Sequence, residues 1–151
     1  MLAVIDEALS TAAFCDHHYK RVAVSAWPVR ALSERGKLDE ASRTLMRSLG
    51  EAGHIQHPIS KMDALELLWH AAWLPPIDGG EQALSELVKA CKAAESWKSG
   101  RCLRNIVGVI GRDNPAYATR IIASMAGSGY KPQAVRWFAS ECSFGVRSFY
   151  W

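Results

Sequence analysis

Apolar residues recur at three- and four-residue steps along almost the whole chain, the period of helices that bury one face. A two-residue alternation appears briefly around Ile106-Val107-Gly108-Val109-Ile110, but helical pattern brackets it, and it reads as a buried helix. Breakers divide the pattern: Gly36, Gly50 with Gly53 and Pro58, Pro75-Pro76 with Gly79-Gly80, Asp113-Asn114-Pro115, and Gly127 through Pro132. Eight helices are predicted, near residues 3–15, 19–35, 38–52, 59–74, 80–95, 97–112, 114–127 and 131–142. Their ends carry recognisable punctuation. Asn114 before Pro115 is a cap followed by a first-turn proline, Ser60 with Asp63 is a capping-box variant, and Gly36 and Gly129 stand where left-handed C-terminal residues belong. Pro28 falls inside the second helix and is expected to kink it or move its start.

One helix face repeats. Ala8, Ala41, Ala83 and Ala118 each follow an acidic or turn-like lead, with Ala12, Leu45, Leu87 and Ile122 four residues later and Cys15, Ser48, Ala90 and Met125 seven later. A small residue recurring on one face suits a place where two helices approach closely. Arg35-Gly36-Lys37-Leu38-Asp39-Glu40-Ala41, preceded by Val29 and Leu32, resembles the turn and second-helix start of a tetratricopeptide repeat, best over residues 25–49. That resemblance implies an all-α fold of stacked antiparallel helical hairpins, a right-handed α-solenoid with a concave groove.

Length and composition agree with one helical-repeat domain over residues 1–151, closed by an aromatic tail over 143–151 that caps the last hairpin or enters a partner. The 151 residues are 49% hydrophobic and 22% charged, with 22 alanines, enough to bury a core and too apolar for disorder. No stretch reaches the roughly 18 apolar residues of a membrane span, and Asp6 and Glu7 interrupt any secretory leader. Cys15, Cys91, Cys102 and Cys142 are scattered without a CxxC pair, as expected of thiols in a reducing cytoplasm.

Charge is unevenly divided. Residues 1–91 hold nine Lys or Arg against twelve Asp or Glu, a balance of −3, whereas residues 92–151 hold nine against three, a balance of +6. A basic C-terminal half points to an anionic partner or to head-to-tail contact between copies.

Candidate chemistry is sparse. Cys15, His17, His18, His54 and His57 are metal-ligand types, but adjacent His17 and His18 point apart and no CxxC or HExxH accompanies them. A nucleophilic site would pair Cys15 with His17, His18 or His70 and an acid such as Asp63, yet GxSxG, Walker and dinucleotide glycine motifs are all missing. The chain is therefore expected to be no enzyme and to need no cofactor, with a small metal-dependent hydrolase as the least favoured reading.

Six tryptophans in 151 residues exceed the needs of such a core. Trp27 and Trp69 each precede a repeat alanine by 14 residues, and Trp73 follows Trp69 by one turn. These three are expected as apolar anchors in the groove, with Arg101 and Arg104 as carboxylate or phosphate clamps. The expected function is an adaptor or scaffold domain binding a protein or peptide. The alternative is a nucleic-acid (RNA) binder using Lys98, Arg101 and Arg104 beside Trp97 and Trp137. Met125 to Pro132 also resembles the end of a pentatricopeptide repeat, an RNA-reading relative of the same hairpin.

Overall fold

The computed structural model describes residues 4–7, 10, 17–73, 77–125 and 127–139. Among them every regular element is helical: α1 His18–Glu34, α2 Leu38–Ala52, α3 Pro58–Trp73, α4 Gly80–Ala94, α5 Trp97–Ile110, α6 Pro115–Ser124 and α7 Lys131–Ala139. Helical backbone also occurs at residues 4–7 and 10. Expected and observed bounds differ by at most one residue for α1 to α4. Most of the helix expected over 3–15, the end of that over 131–142 and the aromatic tail lie outside the described residues. No helix among the described residues is long and apolar enough to cross a membrane.

The chain divides into two compact units, residues 1–90 and 91–151, with the boundary inside α4. That boundary nearly coincides with the change of sign in the charge.

In the first unit α1 packs against both α2 and α3, and α2 also touches α3. This double duty explains the composition of α1. Val22, Ser25, Ala26, Val29, Leu32 and Ser33 are all buried, a broad band with small residues where neighbouring helices come close. Ser25 is satisfied inside the helix, its Oγ donating to the Val22 carbonyl at 2.7 Å. The helix starts at His18 and continues through Pro28, so proline does not move its start.

The turn into α2 is a Schellman motif, with the Lys37 N–H donating to the Leu32 carbonyl and the Gly36 N–H to that of Ser33, both at 3.0 Å. Gly36 supplies the left-handed residue, at φ +73°. In α2, Ala41, Leu45, Ser48, Leu49 and Ala52 form the buried stripe, and Asp39 and Glu40 sit in the first turn, where the helix dipole favours them. The repeated alanine behaves as its pattern implies: Ala41, Ala83 and Ala118 are each completely buried.

Two details of punctuation differ from expectation. At α3 the cap comes from His57, whose Nδ1 lies 3.3 Å from the Ser60 N–H, and Pro58 rather than Ser60 opens the helix. After α6 the left-handed glycine is Gly127, at φ +81°, rather than Gly129.

In the second unit α5 packs on α6 and α7. Its start is fixed by a capping box between Ser96 and Ser99, and α6 starts as expected, with the Asn114 Oδ1 accepting the Tyr117 N–H at 3.0 Å ahead of Pro115. Leu103, Ile106, Val107 and Ile110 of α5 are buried, as are Ile121 of α6, Met125 and Ala134 of α7.

Candidate interaction surfaces

Trp27, Trp69 and Trp73 belong to the first unit and Arg101 and Arg104 to the second. Three of the five expected site residues thus lie in one unit and two in the other.

Trp27 stands on the outward face of α1 and is 42% exposed, with Val24 one turn away at 36%. Trp69 is fully buried. Burial makes it part of the core, which corrects its expected role as a groove anchor. The sequence spacing is equal, but Trp27 lies seven residues before the end of α1 and Trp69 only four before the end of α3. The three-residue difference turns the side chain about 60° round the helix axis. Trp73 is half-buried, its ring 5.7 Å from that of Trp69.

His70 packs on Trp69, ring centroids 4.8 Å apart, and its Nε2 is 3.9 Å from Glu66 Oε1, too far for a hydrogen bond. Burial pushes its pKa down to about 4, so the ring is neutral at pH 7. Its Nδ1 and the Trp69 Nε1 are buried without a hydrogen-bond partner among the described residues.

Among the described residues, the four histidines considered for a metal make contacts of their own. His18 Nδ1 donates to Glu51 Oε1 at 2.5 Å, and Arg21 Nη2 donates to the same oxygen at 2.6 Å, joining α1 to the end of α2. The His18 hydrogen bond lowers the Glu51 pKa, partial burial opposes it, and the Arg21 charge adds to the lowering. The His54 ring lies 5.3 Å from that of His18, His57 caps α3, and His17 meets Tyr19 edge-on. Cys15 is outside the described residues, among which no group of three or more ligating side chains could hold a metal ion. A cavity of about 300 Å³, which the sequence did not signal, is lined by Ile5, Asp6, Leu32, Lys37, Glu40 and Arg43. Its charges are mixed, and Lys37 is already paired with Glu40 at 2.9 Å.

The second unit holds the most organised polar arrangement. The Arg104 guanidinium lies 5.2 Å from the Tyr130 ring and 4.4 Å from that of Trp137, donating to Gln133 Oε1 at 2.7 Å and to Asn105 Oδ1 at 2.8 Å. Glycines one turn to either side make room for these aromatics. A Cβ on Gly108 would stand 2.9 Å from the Trp137 ring, and one on Gly100 would stand 2.9 Å from that of Tyr130. Arg104 is thus a half-buried tie between α5 and α7. Arg104→Lys keeps the charge but loses the planar fork and the stacking. It is expected to lower the stability of this unit by about 1–2 kcal/mol in urea unfolding; an unchanged midpoint would show that the tie contributes nothing.

Arg101 is exposed, with its guanidinium 5.4 Å from the ring of Trp97, which is 63% exposed. Residues 91–139 carry eight Lys or Arg against Glu95 and Asp113.

No protein-family model matches the chain, and no curated protein or solved structure is similar to it at the level that marks a relative.

Proposed function

We propose that the chain is a non-catalytic interaction domain, an adaptor or scaffold of stacked helical hairpins that holds a protein or peptide segment through its first unit. The observation that carries this reading is the outward face of α1, where Trp27 and Val24 stay substantially exposed one turn apart on a helix otherwise packed on two neighbours. A large aromatic in that position offers apolar contact area with a polar edge, the usual composition of an interface anchor. The α1–α2 turn and the buried repeat alanines support the tetratricopeptide-like arrangement, in which first helices line the groove. Buried thiols at Cys91 and Cys102 suit a reducing cytoplasm.

Affinity capture from the source cell's lysate tests this, with the wild-type chain and Trp27→Glu compared before and after nuclease. A defined protein retained by wild type in both arms, and reduced about tenfold or more by Trp27→Glu at unchanged helicity, is the expected result. Capture indifferent to Trp27→Glu would remove this face from the function.

A further inference from the structure

We infer that the second unit binds single-stranded nucleic acid on the surface shared by α5 and residues 130–137, a property independent of the peptide-binding reading of the first unit. Three observations converge on that surface. Residues 91–139 hold eight cationic side chains and only two acidic ones, so the unit attracts polyanions whatever the first unit does.

Cations and aromatics also alternate in space. Exposed Trp97 lies under Arg101, and one turn further on Arg104 sits between Tyr130 and Trp137. The seven-residue step from Trp97 to Arg104 covers about 10 Å of helix. Trp97 and Arg101 are the exposed pair, a ring face for a base and a guanidinium for a phosphate, and the Arg104, Tyr130 and Trp137 stack fixes the helix surface beside them.

Finally, the surface is prepared. Arg104 is held by Gln133 and Asn105, and the Gly100 and Gly108 clearances keep Tyr130 and Trp137 close against α5. A fixed planar cation and fixed rings lose little freedom when a ligand arrives. An acidic protein segment would satisfy the charge, whereas a single strand satisfies the charge and also brings base faces to stack on Trp97, which is 63% exposed. A duplex keeps its bases stacked on each other, out of reach of the Trp97 ring.

Fluorescence anisotropy of the full chain with a labelled oligouridine of about twelve nucleotides is the test. Parallel titrations use a duplex RNA of equal charge and polyglutamate as the acidic-protein probe. Binding to the single strand is expected to weaken roughly 10- to 100-fold between about 50 and 200 mM salt, as a few released counterions dictate. Trp97→Ala is expected to cost about 5-fold or more through lost stacking, and Arg101→Glu at least as much. Lys20→Glu, the same charge change at an exposed position of the first unit, is expected to have little effect. Helicity of each variant is checked by circular dichroism. No binding to the oligouridine at low salt would overturn the inference. So would Trp97→Ala binding as wild type, or polyglutamate binding as tightly as the oligouridine, which would assign the surface to an acidic protein.

Discussion

Trp69→Ala is expected to destabilise the first unit by about 3–5 kcal/mol, a large share of what holds a domain of this size together. The ring is completely buried, on a helix whose Leu65, Leu68 and Ala72 are buried around it. Removing it leaves a cavity that rigid neighbouring helices fill only in part. Trp69→Phe separates the two contributions of the side chain: it keeps most of the apolar volume and deletes the Nε1–H, which has no acceptor among the described residues. The phenylalanine variant is therefore expected to lose much less, about 1 kcal/mol. Urea unfolding followed by circular dichroism makes the comparison, with Trp27→Ala as the exposed control. Equal losses for Trp27→Ala and Trp69→Ala would mean that Trp69 is not in the core.

Acid is expected to weaken the fold well above the range where carboxylates titrate, through His70. An unfolded histidine titrates near 6.5, whereas burial holds folded His70 at about 4. Between those values the unfolded state binds the extra proton, so stability is full above pH 6.5 and declines as pH falls towards 4. The loss from about pH 7.5 to about pH 5 is on the order of 2 kcal/mol. Glu66 is too distant to retain the proton by a hydrogen bond, and burial against Trp69 prevails. Glu51 acts in the same direction at lower pH: its depressed pKa contributes stability above 4.5 that disappears as the carboxylate protonates. Chemical unfolding at several pH values, with wild type beside His70→Leu, isolates the histidine. The variant should be nearly flat from about pH 7.5 to 5; an equally steep wild type and variant would assign the acid sensitivity elsewhere.

The helices were legible in the sequence because their determinants are local. The Schellman turn at Gly36, the Asn114 cap and the apolar stripe of α2 are decided by neighbours within a few residues, and each stands where the pattern put it. Exposure of particular side chains was less legible. The equal spacing of Trp27 and Trp69 from their alanines suggested equivalence, but facing depends on where each helix ends and what packs on it. Arg104 shows the same limit. Its charge was plain, whereas its place between Tyr130 and Trp137 depends on contacts across roughly thirty residues that only the folded unit creates. The His57 cap was hidden for a different reason, since an imidazole nitrogen serves as a cap acceptor less often than a hydroxyl or carboxylate.

The contrast among the tryptophans gives the protein built-in optical labels. Trp69, sealed from water and lacking a hydrogen-bond acceptor among the described residues, has the surroundings of a blue-emitting indole, and the neighbouring His70 becomes a potential quencher once protonated. Trp27 and Trp97, exposed in separate units, emit from water. Loss of order around α3 is thus expected in the blue edge of the spectrum, and occupation of α1 or α5 in its red edge.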